Sequence, residues 1–541
     1  MSVARSSMLM ASGTILSRAM GFLRAVILAA AIGVTTDAAD AFGVANQLPN
    51  SVYAIIAGGV LNAVLVPQIV KARSNTDGGK SYVDRLLTFI IVIFFVTTVL
   101  ATVAAPFLVS IYTSGWSPEQ LALATAFAYW CLPQLFFYGL YSLLGEVLNA
   151  RSAFGPYMWA PVLNNIVALA GLVAFVVIFG ADPTGTRAVE SWGADKISLL
   201  AGSATAGVIA QALILFASWK RIGMSLSLNF KWRGFGLRPA LKAASWSLGM
   251  VIVTQIGGLV QTIVASGAVA ARDSNPAVAS IAAAAIAWLI FMVPHSVASV
   301  SIATAYFTKM STHVQAGNIE AMKADLAAGL RSISLISVFS SVALSVLAYP
   351  IARVFVGEFA AAVALGNVVI ALMVGLVPFS FVFMMQRAFF ALEDTKTPFK
   401  FTVIQIALHI IGAITISQTL PAEWLVVGLS ALTSVTVTIQ ALVAYAMLKN
   451  RVGSLGEHKI GSVSLSFVAA GLLSGGAGIA VISLLGGVAK GSFVVDTILS
   501  SLLTMLIAGF AMAATYAVAL RLLRVSEIDT VISGLRGILR R

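Results

Sequence analysis

Two arginines lie within the first apolar segment of the chain, where charged side chains are unexpected. Arg18 is near the middle of this segment, and Arg24 follows six residues later, about 9 Å farther along a helix. A charge at membrane depth costs about 2.5–3.5 kcal/mol, so each guanidinium should face a cavity or a partner. Arginine suits phosphate because its donors form a planar fork. The two residues therefore predict an anion-binding site. The structural alternative for Arg18 is an internal ion pair. For Arg24 it is a side chain that extends to the membrane surface.

Carboxylates are scarce near these arginines. Asp37 and Asp40 come at the outer end of the first segment and in the turn after it. Their spacing is a weak signal for a pair of metal ligands in a membrane enzyme. The simpler interpretation is that they lie in an exposed turn and cap the next helix. Glu146 lies close to Arg151, where a local ion pair is expected. The first part of the chain thus carries a positively charged site.

Motifs for nucleotide, cofactor or nucleophilic chemistry are absent from the sequence. It has no G-x-x-x-x-G-K-[ST] loop, no HExxH, no CxxC pair, no GxSxG and no dinucleotide fingerprint. Cys131 is expected to pack in an apolar run. His295 and His409 are expected to be satisfied polar groups, with a gating or proton-transfer role as the alternative. We therefore expect no enzyme activity, no cofactor and no metal.

The composition indicates a chain that lies mostly within a membrane. Of the 541 residues, 59% are hydrophobic and 10% are charged, and the mean hydropathy is +0.98. A soluble domain has about 25% charged residues. These values exclude an ordinary cytosolic enzyme, a disordered protein and a nucleic-acid binder. The net charge of +13 instead fits basic loops on one side of a membrane.

Fourteen segments are long and apolar enough to cross a bilayer, which needs about 20 residues. None alternates as a barrel strand would. The segments are 7–34, 42–70, 86–112, 121–150, 158–179, 197–219, 241–269, 278–308, 333–349, 361–390, 399–419, 425–448, 463–485 and 493–523.

The basic residues predict the orientation of these spans. With the N-terminus in the cytoplasm, 26 of the 33 lysines and arginines fall in inside segments and 5 in outside segments. Cytoplasmic loops carry the excess of basic residues. Both termini are therefore predicted to be cytoplasmic.

An internal repeat is indicated by paired landmarks. Pro106 and Pro350 end similar spans 244 residues apart, and Pro156 and Pro398 begin similar spans 242 residues apart. Two six-helix lobes that start on the same side are parallel repeats, an architecture typical of alternating access. The repeat places Gln261 at the level of Arg18, so the second lobe is polar there (Gln255, Gln261, Thr262) without being charged.

The predicted fold is an all-α polytopic membrane protein with two six-helix lobes and two further helices. The lobes comprise residues 1–220 and 241–449, and spans thirteen and fourteen fall within residues 450–524. Residues 221–240 form a basic linker between the lobes, and residues 525–541 form a cytoplasmic amphipathic tail. Both of these segments mix apolar and basic residues, which suits an anionic lipid surface.

Several of these segments resemble the MurJ/MviN family of lipid II flippases. They read SGTILSRAMGFLR (12–24), DAFGVANQLPN (40–50), GGVLNAVLVPQI (58–69), VLNARSAFGPYMWAPVLNN (147–165) and FFALEDTKTPFK (389–400). The resemblance spans nearly the whole chain, and the last segment is shared more widely in the MOP superfamily.

The resemblance implies a function and a site. The family moves the undecaprenyl-pyrophosphate-linked peptidoglycan precursor, lipid II, across the bacterial inner membrane. Arginines in a central cavity hold the pyrophosphate, and the lipid tail lies in a groove made by spans thirteen and fourteen. Arg18, Arg24 and Asp40 fall on family functional positions, with Asn50 in the adjoining motif. Further expected partners are membrane lipids and cell-wall synthesis proteins. The protein is expected to be a monomer and to bind no nucleic acid.

The chain departs from the family pattern at four places. An acid often follows the second arginine, where this chain has Ala25, and arginine often follows the LPN motif, where it has Ser51–Tyr53. The arginine before the span-eight proline is replaced by Leu289 or its neighbours, and span seven, 241–269, lacks the acid of a family sodium site. A related polyprenyl-linked substrate is therefore an alternative, as are a polysaccharide-lipid flippase, a multidrug or cation antiporter of the superfamily, a membrane enzyme and a non-transporting scaffold.

Overall fold

The computed structural model describes residues 3–57, 80–150, 154–221, 227–231, 237–272, 274–275, 277–455 and 460–525. Throughout these ranges the regular structure is helical. The α-helices are α1 (Val3–Ile32), α2 (Asp37–Ile56), α3 (Lys80–Val103), α4 (Ala105–Tyr112), α5 (Pro118–Cys131), α6 (Gln134–Ala150), α7 (Phe154–Phe179), α8 (Ala194–Arg221), α9 (Leu237–Ser266), α10 (Ile281–Pro294), α11 (Val300–Gln315), α12 (Ile319–Val346), α13 (Ala348–Phe355), α14 (Phe359–Met373), α15 (Leu376–Ala391), α16 (Lys396–Thr419), α17 (Leu425–Val452), α18 (Ile460–Leu484) and α19 (Ile498–Leu522).

The prediction of an all-α polytopic membrane protein is confirmed. Among the described residues, 12 helical stretches are long and apolar enough to cross a membrane, and the bent pair α14–α15 makes a thirteenth. These correspond to thirteen of the fourteen predicted spans. The remaining one, span two at 42–70, is described only as far as residue 57, and its second half lies outside the described residues.

The predicted repeat is visible in how the third and ninth spans end. In each, a long helix stops and an eight-residue helix follows, α4 after α3 and α13 after α12. Pro106 and Pro350 each lie in the first turn of the short helix, where a missing N–H costs nothing. The linking residues Ala104 and Leu347 have nearly the same conformation, with φ of −83° and −91°. The two prolines therefore mark equivalent breaks.

Spans four and ten are also broken in equivalent ways, which the hydropathy pattern did not show. Span four consists of α5 and α6 on either side of residues 132–133, and span ten consists of α14 and α15 on either side of residues 374–375. The second pair is bent by 43°. A single 3-10 turn precedes the last helix of each repeat, at Val189–Ser191 and Ala422–Trp424.

The chain divides into two compact units, residues 1–270 and 271–541. In unit 1, α9 contacts α2 and α4. The repeat assigns α9 to the second lobe, so the lobe boundaries at 220 and 241 stay a prediction. The tail 525–541 lies outside the described residues apart from Val525, and the linker 221–240 is described only in part.

Small residues allow the helices of unit 1 to pack closely, as is usual in membranes. A Cβ added at Gly207 of α8 would lie 2.7 Å from the main-chain oxygen of Asn164 in α7. One added at Gly171 would lie 2.1 Å from the Cβ of Ser203. Helices α7 and α8 can therefore approach this closely only because these positions lack side chains.

In unit 2, α18 and α19 pack against each other and against α12. Gly475 of α18 faces Val342 of α12, and Gly478 faces Met512 of α19. Large apolar side chains, among them Leu472, Leu506 and Phe510, are exposed on these two helices. Exposed leucine and phenylalanine are expected where a helix meets lipid tails.

Candidate functional site

Helix α1 carries both candidate arginines and packs mainly on α7. A Cβ added at Gly13 would lie 2.9 Å from the Trp159 ring, so the lack of a side chain there permits the close approach. The Asn165 Nδ2 donates to the Ser17 carbonyl oxygen at 2.9 Å. These contacts fix the rotation of α1 and hence the directions in which Arg18 and Arg24 extend.

The structure places the two arginines in different surroundings. The Arg18 side chain is exposed, whereas that of Arg24 is half-buried. Arg24 lies beside a cavity of about 10 Å³, room for roughly one water molecule. The cavity is lined by residues of α1, α2, α7 and α8: Arg24, Leu28, Phe42, Ala168, Leu172, Leu200, Ser203 and Ala204. It is too small for a phosphate group, so Arg24 does not face an open binding cleft on this side.

A buried polar cluster adjoins Arg24 inside unit 1. Arg24 is close enough to Tyr138 of α6 for electrostatic interaction, and the Tyr138 hydroxyl donates to Gln134 Oε1 at 2.9 Å. The Gln134 Nε2 in turn donates to Thr205 Oγ1 at 2.9 Å and approaches Asn46 Oδ1 at 3.4 Å. The cluster joins α1, α2, α6 and α8. Such networks rigidify the helices that carry them.

The turn between α1 and α2 positions the candidate Asp40. Thr36 caps α2, because its hydroxyl accepts from the Ala39 N–H at 3.0 Å and donates to the Ile32 carbonyl at 2.6 Å. Asp37 and Asp40 lie in the first turn of α2, where the helix dipole favours negative charge. Asp40 is fully buried. The expectation of an exposed turn is therefore wrong for Asp40, and the cap is Thr36.

The loop after α7 holds this turn in place. The main-chain N–H of Asp182 donates to the Ala30 carbonyl at 3.0 Å. Burial would raise the pKa of the Asp182 carboxyl, but hydrogen bonds from the Arg187 N–H and from the N–H and hydroxyl of Thr186 hold that pKa below its ordinary value of 3.8. The sequence analysis missed this anchor, although Gly180 and Gly185, both with positive φ, signal the loop.

The remaining candidates lie where α2 meets α9. The Gln255 Nε2 donates to the Ser51 carbonyl at 3.0 Å, next to Asn50, whose side chain is exposed. The Gln47 Nε2 approaches Thr262 Oγ1 at 3.4 Å. Gln261 is half-buried on α9. The structure thus brings Gln255 to Ser51, the residue that follows Asn50. Arg24 belongs instead to the polar cluster that contains Tyr138 and Gln134.

The two candidate histidines, His295 and His409, differ in their surroundings. His295 begins a π-helical turn, His295–Ser299, and its Nδ1 lies 3.1 Å from Ser380 Oγ, so it is a satisfied polar group. His409 is buried, yet neither ring nitrogen has a hydrogen-bond partner in the described part of the chain. The expectation that His409 is satisfied is therefore wrong.

A metal site finds no support in the described residues, where no group of three or more histidine, cysteine, aspartate or glutamate side chains could hold an ion. Asp37 and Asp40 are therefore not part of such a group in the described ranges. Cys131 is buried in α5, in accord with a packing role.

The fold is that of MOP-type transporters. A solved structure titled lipid II flippase MurJ in an inward closed conformation has a TM-score of 0.72 at 19% identity, covering 95% of this chain and 99% of that one. An inward-facing multidrug resistance MATE transporter of the MOP superfamily has a TM-score of 0.55 at 17% identity, covering 81% and 99%. These likenesses, with the repeat and the apolar spans, define a multi-pass membrane protein with the MOP-type fold.

Comparison of sequences identifies the family. A family model described as lipid II flippase MurJ matches residues 28–520, and the chain belongs to that family. A probable lipid II flippase MurJ of Rhizobium tropici is 27% identical over 418 residues, which cover 76% of this chain and 74% of the relative. That of Haemophilus influenzae is 25% identical over 467 residues, covering 80% and 83%.

Proposed function

We propose that this protein translocates lipid II, the polyprenyl-pyrophosphate-linked peptidoglycan precursor, from the inner to the outer leaflet of a bacterial inner membrane. The observation that carries the proposal is the family match across residues 28–520. The matched region contains Asp40, Asn50, Gln255 and Gln261. Arg18 and Arg24 precede it, so their assignment depends on their position in α1.

Arg18 and Arg24 are proposed to bind the pyrophosphate. Arg18 is exposed on α1 and can meet a headgroup directly. Arg24 lies about 9 Å farther along the helix, beside a cavity that is too small for phosphate in this state. It is proposed to contact the substrate in another state of the transport cycle. A low-dielectric site strengthens the attraction between guanidinium and phosphate.

Asp40, Asn50, Gln255 and Gln261 are proposed to complete the binding site. The Asn50 side chain is exposed on α2, beside the contact of α2 with α9. Gln255 and Gln261 supply amide donors from α9. Asp40 is buried at the start of α2 and is proposed to contribute its carboxylate to the site from there. Neutral amides suit sugar hydroxyls and peptide groups.

The orientation and partners follow from the same proposal. From the distribution of basic residues, both termini are proposed to be cytoplasmic, so the precursor would enter from the cytoplasmic leaflet. With the inside negative, export of an anion is favoured by about 2.3 kcal/mol per charge per 100 mV if the charge crosses the full field. The lipid tail is proposed to lie along α18 and α19, whose exposed apolar residues suit it. Cell-wall synthesis proteins are further proposed partners.

Depletion of the protein in its host tests the function. Lipid-linked precursor should accumulate in the cytoplasmic leaflet, while its total synthesis continues, as measured by labelling the precursor accessible from outside. A variant of the exposed residue Arg521, Arg521→Gln, should restore outward movement like the wild type. An unchanged leaflet distribution after depletion would contradict the proposal, and altered accumulation of cationic drugs instead would favour the antiporter alternative.

A further inference from the structure

The guanidinium of Arg387, in unit 2, packs against two aromatic rings. It follows Phe379 and Phe383 at intervals of four residues, so the three share one face of α15. The guanidinium carbon is 4.8 Å from the centroid of the Phe383 ring and 5.8 Å from that of Phe307 in α11. Two rings from two helices therefore fix the plane of the guanidinium.

The hydrogen-bonding groups of Arg387 are not used by the described part of the protein. Its Nε is buried without a partner, and the side chain is half-exposed as a whole. A guanidinium has five N–H donors in one plane, and aromatic rings satisfy only its faces. The donors at its edge therefore remain available to a ligand.

Among the described residues, no carboxylate is seen to form an ion pair with Arg387. Neither α11 nor α15 contains an acidic residue. Asp394, in the loop after α15, accepts from the main-chain N–H groups of Lys396 and Thr397 at 3.0 and 2.9 Å. Asp325 Oδ2 lies 3.2 Å from His313 Nε2, with which it forms an ion pair when the imidazole is protonated. The charge of Arg387 is thus directed toward an anion from outside this part of the chain.

We propose that Arg387, oriented by Phe383 and Phe307, binds a phosphate of the lipid-linked pyrophosphate substrate. A guanidinium held in one plane forms two parallel hydrogen bonds to phosphate oxygens. This inference rests on the proposed function and adds a second phosphate contact in unit 2 to the arginines of α1. An ordinary phospholipid headgroup offers the same chemistry, so the experiment must separate the two sources.

Binding to the full chain in nanodiscs of zwitterionic lipid tests this inference. The probes are farnesyl pyrophosphate, inorganic pyrophosphate and phosphatidylglycerol. Arg387→Gln should weaken binding of farnesyl pyrophosphate by about tenfold or more, and Arg387→Lys, which keeps the charge and loses the fork, should weaken it less. Lys309→Gln removes an exposed cation that lies over Tyr306 on the neighbouring α11, and its binding should stay within about twofold of the wild type.

The outcomes distinguish this inference from the proposed function. If the wild type binds farnesyl pyrophosphate and Arg387→Gln and Arg387→Lys bind it equally well, Arg387 is not a phosphate site, although the flippase proposal stands. If phosphatidylglycerol competes as well as farnesyl pyrophosphate at Arg387, the site is a general lipid contact and the inference is wrong. If the wild type binds no pyrophosphate probe, both proposals fail. Melting temperatures equal to that of the wild type establish that each variant is folded.

Discussion

The side-chain amide of Gln255 donates a 3.0 Å hydrogen bond to the main-chain carbonyl of Ser51, 204 residues earlier in the chain. This bond joins α9 to α2 in the part of unit 1 that contains Asn50. Because the acceptor is a main-chain oxygen, the Ser51 side chain is not needed for it.

Replacement of Gln255 should loosen this contact. Gln255→Leu removes the donor, and the free energy of unfolding should fall by about 0.6 kcal/mol, the average for hydrogen bonds between helices in membranes. Ser51→Ala keeps the acceptor and is the matched control. Thermal unfolding in detergent measures both variants. Equal melting temperatures for Gln255→Leu and the wild type would show that the bond contributes nothing to stability.

Close packing of α7 and α8 should make Gly207 intolerant of any side chain. A Cβ there would lie 2.5 Å from Asn164 Oδ1 and 2.7 Å from its main-chain oxygen, and overpacking costs about 1–3 kcal/mol. Gly207→Ala should therefore lower the melting temperature. Gly258→Ala is the matched control, because no atom lies within 4 Å of its Cβ position, and it should be neutral or slightly stabilising. Similar losses from both would contradict the packing geometry.

The Asp182 loop should make stability depend on pH. Its folded pKa lies below the ordinary value of 3.8 because hydrogen bonds from Arg187 and Thr186 outweigh the effect of burial. A depressed pKa gives stability that is present at neutral pH and is lost as the pH falls through the folded pKa. Asp182→Asn should therefore melt below the wild type at neutral pH. Melting curves recorded down to about pH 3 should show the difference shrinking, and a difference that stays constant would exclude this origin.

The number of spans and the repeat could be predicted because the bilayer imposes them on the sequence. In lipid, every backbone polar group must form a hydrogen bond within its helix. An apolar segment of about 20 residues therefore identifies a membrane-spanning helix. Pro106 and Pro350 identify equivalent breaks because each lies in the first turn of its short helix, where proline is favoured. The breaks at residues 132–133 and 374–375 escaped prediction because the hydropathy stays high around them, although Pro133 and Gly375 were usable signals.

The surroundings of the candidate residues could not be predicted from spacing. Tyr138 and Gln134 reach Arg24 and Asn46 through contacts between distant parts of the chain, and no local pattern specifies them. Spacing did indicate that Arg18 and Arg24 would not share a face on a straight helix, since six residues turn it by about 240°. The contact of Arg387 with Phe383 has a local sequence signal, because the two residues are four positions apart on one helix.

Translocation of lipid II by arginine variants tests the central claim most directly. Arg18→Ala and Arg24→Gln, each supplied as the only copy of the protein, should reduce outward movement of the precursor by about tenfold or more, because each removes a charged donor to phosphate. Arg24→Lys should retain part of the activity, and the exposed Arg521→Gln should retain all of it. Precursor accessible at the outer surface is measured at equal amounts of folded protein. Normal translocation by Arg18→Ala or by Arg24→Gln would contradict the assignment of that arginine to the substrate.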